Sequence, residues 1–330
     1  MSFVSQFFWC VDMFGLSIGL MLELMLIIVV FNFRGGKNSM MELYGRMVVC
    51  IAIQDFCFCF YEINVQHILC FSQNKMFVNA FGWERFVPTW ALPICFFFHV
   101  FFIFNSFTFL PAIYSYKYEY LKNAALSWRG LFCRVFTAMF CSGISSMAGF
   151  LAIRKSVSRG RDYYLRILPK AWSDEHGNTN FIYAVDLDDI EGVLWVAATI
   201  VLSCCSIIIT AYYAVKSSRV VGNGVQKQTK QGKSIQKQFN NGILAQTITI
   251  GVMSNIPSLV LFTCIALGID GTYLGTMFML PMSYVSATGA ILTLYCMRGY
   301  RRWLLEKLYL RKKGASTTSS DATKTQFSKH

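Results

Sequence analysis

The sequence predicts an all-α membrane protein, a seven-transmembrane helix bundle with its N-terminus outside. Three observations lead there. Of 330 residues, 55% are hydrophobic and only 14% charged, against roughly 25% charged in soluble domains. Seven apolar runs each reach the about twenty residues needed to cross a bilayer. Lys and Arg then divide unevenly between the alternating loops. Twenty fall on one side: Arg34, Lys37, Lys117, Lys122, Arg129, six in 216–239 and nine in 298–330. Eight fall on the other, six of them in an acid-rich loop. The richer side faces the cytoplasm.

The first run, 11–33, contains Gly15 and Gly19 at the spacing that lets a neighbouring helix approach closely. Gly15-Leu16-Ser17-Ile18-Gly19 also matches a hydrolase nucleophile elbow. That elbow needs a strand before it, and a membrane helix supplies none. Glu23 falls near the middle of this run. The second run, 43–66, carries Asp55 near its centre and Glu62 two turns later on the same face. Arg46 is placed to snorkel to headgroups. Asp55 is expected to bond within the bundle and Glu62 to reach the outer interface.

The third run, 91–113, is rich in Phe, with His99, Asn105 and Ser106 as polar exceptions. Its rings read either as lipid-facing bulk or as the wall of an apolar pocket. On the second reading His99, Phe102, Asn105, Phe262 and Tyr284 line it. The fourth run, 131–153, repeats small residues at Cys141, Ser145 and Gly149, a packing stripe. The following loop ends in Asp186, Asp188, Asp189 and Glu191, a solvated acidic rim that lacks the central Gly of an EF-hand.

The fifth run is 192–215. Before the sixth, 240–268, Lys230, Lys233 and Lys237 follow helical spacing and present a basic face to anionic lipid or a cytosolic protein. Pro257 interrupts the sixth run and is expected to kink it. The seventh run is 273–297. In 298–313, Tyr300, Trp303, Leu304 and Leu308 share one helical face among Arg and Lys, as in a short helix on the inner membrane surface. The seven-helix membrane domain thus spans 1–313, and 314–330 is expected to be a disordered Ser/Thr-rich cytoplasmic tail.

Net charge +13 raises nucleic acid as a partner, but the basic residues sit in short gaps between apolar runs, so none is expected. The twelve Cys lie mostly in apolar runs and form no pair of CxxC units. Neither a metal nor a cofactor is expected, and no catalytic set emerges.

Several short motifs resemble those of one family. Tyr116-Lys117-Tyr118 ends the third run. Gln236-Lys237-Gln238, Leu244, Gln246-Thr247 and Ile256-Pro257 enter and cross the sixth. Gly268-Ile269-Asp270 follows it, and Cys296-Met297-Arg298-Gly299-Tyr300-Arg301 leaves the seventh. In this order they resemble the Str group of nematode seven-transmembrane chemoreceptors. Rhodopsin-type marks, Asp-Arg-Tyr after the third run and Asn-Pro-x-x-Tyr in the seventh, are missing.

The resemblance implies a G-protein-coupled chemosensory receptor in the plasma membrane of a sensory neuron, in its cilium. It would bind a small odorant or other environmental chemical within the bundle. Coupling to a heterotrimeric G protein would use Tyr116, Lys117, Tyr118, Lys233, Lys237 and Arg298, with Pro257 as the hinge of the sixth helix. The alternative is a proton-coupled small-molecule transporter that uses Glu23 and Asp55.

Overall fold

A computed structural model describes residues 3–33, 39–123, 128–172, 179, 181–224, 230–269, 271, 273–307 and 309. Among them, seven helices are long and apolar enough to span a membrane: Gln6–Asn32, Tyr44–Val65, Thr89–Lys122, Trp128–Arg159, Ile190–Val220, Lys237–Ala266 and Leu274–Cys296. Each overlaps one predicted run. All are helical because a lipid-exposed backbone must satisfy its hydrogen bonds within its own segment. Residues 298–307 are helical too; the tail 314–330, Arg34, Lys37 and Asp270 lie outside the described residues.

The third span runs Leu92–Asn123, a full three turns beyond its predicted end. Of its most apolar stretch 67% is buried, against 33–50% in the other six. This helix is the centre of the bundle. Phe96, Phe104, Phe107 and Phe109 are buried, so much of its aromatic bulk fills the protein interior.

Small residues let neighbouring helices close on one another. A Cβ on Gly15 would stand 3.0 Å from the Tyr284 ring, and one on Gly19 would stand 3.0 Å from Cys59 Sγ. The first, second and seventh spans meet there. On the fourth span, a Cβ on Gly149 would press on Phe96 and Trp195 at 3.0 Å.

The sixth span is not a simple proline kink. It is α-helical over Lys230–Ile250, widens into a π turn over Gly251–Asn255, and resumes over Ile256–Ala266 with Pro257 in its first turn. A first-turn residue needs no N–H partner, so proline is tolerated there, and the wide turn absorbs the misfit. The seventh span is broken likewise. Its helix Leu274–Met279 passes through a 3₁₀ stretch, Leu280–Tyr284, into Val285–Cys296.

One feature departs from the helical expectation. Three short strands, β1 (His67–Ser72), β2 (Lys75–Ala80) and β3 (Phe181–Asp186), form an antiparallel sheet in the order β1-β2-β3 at one end of the bundle. Gln73 and Asn74 both take positive φ, 50° and 57°, which closes a two-residue hairpin whose twist matches its strands. Leu69, Phe71, Met76, Val78, Tyr183 and Val185 pack on the bundle. Ile68, Cys70, Phe77, Phe181 and Ala184 pack beneath Tyr164, Leu168 and Trp172. With both faces covered, the strands carry few polar residues and no alternating pattern.

The hairpin's exit is sterically tight. Gly82 donates its N–H to the Val65 carbonyl at 3.1 Å, and an added Cβ would fall 1.8 Å from the Asn64 carbonyl oxygen. Gly82→Ala is therefore expected to destabilise the protein by about 2–3 kcal/mol. Gly143→Ala, which meets nothing within 4 Å, should be neutral or gain up to about 1 kcal/mol in its helix. Thermal unfolding in detergent, followed by thiol labelling, measures both.

Candidate ligand site

The site lies under the sheet, where the first, second, third and seventh spans converge. Its polar end is lined by Asp12, Glu62, His67, His99 and Ser283, with Leu69, Ile103, Met279 and Met282 around them, and encloses about 40 Å³. An adjoining apolar end of about 20 Å³ shares Leu69, His99, Ile103 and Met279, and adds Phe96, Phe104, Trp195 and Phe262.

Two carboxylate–imidazole pairs order the polar end. His99 Nδ1 donates to Glu62 Oε1 at 2.7 Å, and both residues are buried. His67 Nε2 pairs with Glu84, whose other oxygen accepts from the Tyr183 hydroxyl at 3.2 Å. The two imidazoles meet edge to face, centroids 4.2 Å apart. Buried charged groups are stable only when paired in this way. Asp12 stands beside the Ser283 side chain.

At the apolar end, Phe96 meets Trp195 edge-on at 5.5 Å, and Trp195 meets Phe262 at 5.4 Å. Such pairs hold the rings in defined positions. Gly149 makes room for the indole Nε1 edge, which faces it.

The acidic segment 186–191 is no free rim. Lys75 Nζ lies 2.7 Å from Asp188 and 3.2 Å from Asp186. Arg159 joins Asp186 and Asp189, and Lys155 joins Asp189 and Glu191. These pairs tie the hairpin, β3 and the fourth and fifth spans together above the site. The Lys75 hydrogen bond holds Asp188 below the usual carboxylate range. Burial pulls the Lys75 ammonium down, but its bonds to Asp188 and Asp186 outweigh that and raise it overall.

Of the residues proposed for ligand binding, His99 and Phe262 line this cavity. Phe102 stands outside it against Tyr61, centroids 5.3 Å apart. Asn105 lies deeper, donating to Gln54 at 2.5 Å. Tyr284 donates instead to the Val11 carbonyl at 2.9 Å and seals the first span to the seventh. Glu62, expected at the interface, turns inward. Asp12, His67, Glu84, Tyr183 and Trp195 were not foreseen. Glu62 and His99, polar residues in apolar runs, were the one available signal.

Glu23 and Asp55 are buried close together in the mid-bundle, and Glu23 Oε2 meets no donor. At the end opposite the sheet, Tyr116 and Lys117 are buried. The Lys117 ammonium lies 5.6 Å over the Phe239 ring, and Phe239 stacks on Tyr44 at 3.5 Å. Tyr118 lies 5.8 Å from Tyr213. Tyr114 bonds Thr247 at 2.9 Å, joining the third and sixth spans. The Arg298 N–H donates to Gln238 at 3.1 Å. Lys237 is exposed; the Lys233 side chain lies outside the described residues.

The family model described as "Serpentine type 7TM GPCR chemoreceptor Srd" matches residues 7–306. The chain belongs to that family. It is a serpentine chemoreceptor of the G-protein-coupled type and an integral protein of the plasma membrane; the matched group is Srd, where the motifs had suggested Str. Among solved structures, squid rhodopsin is similar, with a TM-score of 0.60 over 97% of this chain and 91% of that one at 12% identity. That likeness shows the fold. No curated protein sequence matches.

Two outcomes test the site's architecture. Glu62→Gln should cost about 1–3 kcal/mol, because the His99 N–H loses a charged acceptor in a buried place. A double-mutant cycle with His99→Phe should return a coupling above about 0.5 kcal/mol. The Lys75–Asp188 tie depends on pH with a definite sign. A lowered carboxylate stabilises above its unfolded pKa and is lost as pH falls through the folded one. A raised ammonium stabilises below its unfolded pKa and is lost as pH climbs through the folded one. Hydrogen-exchange protection of the hairpin, taken relative to the chemical rate, should thus be flat from about pH 5 to 9 and fall below about pH 4.

Proposed function

We propose that this chain is a nematode olfactory-type receptor in the ciliary membrane of a chemosensory neuron, with its sheet end and N-terminus outside. A small environmental chemical binds beneath the sheet, and a heterotrimeric G protein docks at the opposite, Lys/Arg-rich end. The carrying observation is the course of the sixth span. Phe262, beyond the π turn and Pro257, touches the ligand site; Thr247 and Phe239, before it, close the other end. A ligand that favours one setting of the upper half biases the position of the lower half.

In the closed arrangement the sixth span covers Lys117, Tyr116 is buried beside it, and Arg298 is tied to the same span. Swinging the lower half about 251–257 breaks the Tyr114–Thr247, Lys117–Phe239 and Gln238–Arg298 contacts. It also opens a cleft flanked by Tyr118 and Lys237; Lys233 precedes Lys237 by four positions on the same helix. Ligand and G protein then act on one equilibrium, each by its differential affinity for the two shapes. Residues 298–307 lie along the inner membrane surface as an amphipathic helix. Family membership favours this reading over proton-coupled transport, and E23Q/D55N should still signal.

Phe239→Ala removes the stacked ring from the closed state alone. Every about 1.4 kcal/mol lost there shifts the equilibrium tenfold. Ligand-independent nucleotide exchange on a co-expressed G protein should therefore rise about tenfold or more. Pro257→Ala should alter ligand-dependent exchange more than surface expression; equal loss of both would remove the hinge. Tags on the two termini should appear on opposite sides of the plasma membrane, and a same-side result defeats the receptor topology.

A further inference from the structure

We infer that the site beneath the sheet takes a short-chain alkylammonium ion, a protonated primary amine of about four or five non-hydrogen atoms. This rests on the receptor reading above and names its ligand class. Three features of the polar end converge on it.

The first is hydrogen-bonding polarity. A carboxylate only accepts, so a neutral His67 carries its proton on Nε2 toward Glu84 and leaves a lone pair on Nδ1. That side chain is 1% exposed, and Nδ1 has no protein partner. Ser283 spends its hydroxyl proton on the Leu280 carbonyl at 2.7 Å. Asp12 adds a carboxylate. The polar end thus offers His67 Nδ1 and the Asp12 carboxylate as acceptors, and an ammonium group brings three N–H bonds.

The second is charge. Asp12 and Glu62 line the space, Glu84 stands directly behind His67, and no Lys or Arg is among the described lining residues. Three carboxylates thus share two imidazoles; Glu62 and Glu84 each hold one by a hydrogen bond, while Asp12 stands beside Ser283 with no hydrogen-bonded imidazole of its own. A cation completes that balance; an alcohol leaves Asp12 without a counter-charge, and an acid repels it.

The third is size and shape. A water needs about 10–15 Å³ of such space, so the joined ends of about 40 and 20 Å³ take about four or five heavy atoms. The alkyl part lies toward Phe96, Trp195 and Phe262, whose faces also attract a nearby cation.

The test uses the full-length receptor in lipid nanodiscs with purified G protein, reading thermal shift and nucleotide exchange together. The probes are isobutylamine, isobutanol and isobutyrate, equal in skeleton and different in charge. Isobutylamine should raise the melting temperature saturably, with the other two at least about tenfold weaker. Asp12→Asn should weaken the amine about 10–100-fold, and Asp12→Glu should recover most of it, which separates binding from misfolding. Equal shifts by the alcohol, or an unchanged affinity in a folded Asp12→Asn protein, overturn the amine class. So does the absence of any amine shift. If the alcohol binds and drives exchange, the receptor reading survives while the amine class falls. If the amine binds as stated but exchange stays at baseline, the site stands and the receptor reading falls.

Discussion

The third span is the most enclosed of the seven, and only its outer end, at Ile94 and Phe98, keeps an exposed apolar face. A buried polar group without a partner is costly, and several along this helix find theirs on a neighbour. His99 takes Glu62 from the second span. Asn105 takes Gln54, also from the second, and Thr108 takes Ser142 from the fourth at 2.8 Å. Tyr114 takes Thr247 from the sixth. These side-chain bonds fix the rotation of the central helix against its neighbours, and the ligand site is one rung of that ladder.

The membrane-spanning architecture was legible because length and apolarity alone decide it. The sheet was not. A strand half exposed to water alternates in polarity, but these strands are sealed on both faces and read as featureless apolar chain between two spans. The site inherited that blindness, since His67 and Tyr183 reach it from strands. Glu62 and His99 stand 37 positions apart, and nothing local links a carboxylate in one run to an imidazole in the next. Tyr284 was assigned to the pocket from its inward face, but Gly15 draws the first helix so close that the ring becomes packing. Pro257 marked the break correctly, while the π turn ahead of it has no comparably strong mark in sequence.

At 12% identity with squid rhodopsin, almost no contact in this bundle can be residue for residue the same. Bilayer thickness, backbone satisfaction and close approach at small residues restrict seven spans to few arrangements, and many sequences meet those terms. The polar interior is where chains of this kind differ. Here the mid-bundle carboxyls of Glu23 and Asp55, the imidazole pairs above them and the buried Lys117 below divide the core into three electrostatic layers.

The cap also has a history in biosynthesis. Its first two strands leave the ribosome about a hundred residues before the third, with the fourth span still to be made. Until Phe181–Asp186 arrives, the free edge of β2 and the underside of the hairpin lie bare at the membrane boundary, and Lys75 waits without the aspartates that later hold it. Closure of long-range pairs is slow, so the nascent chain stays vulnerable at this point well after its early helices have inserted.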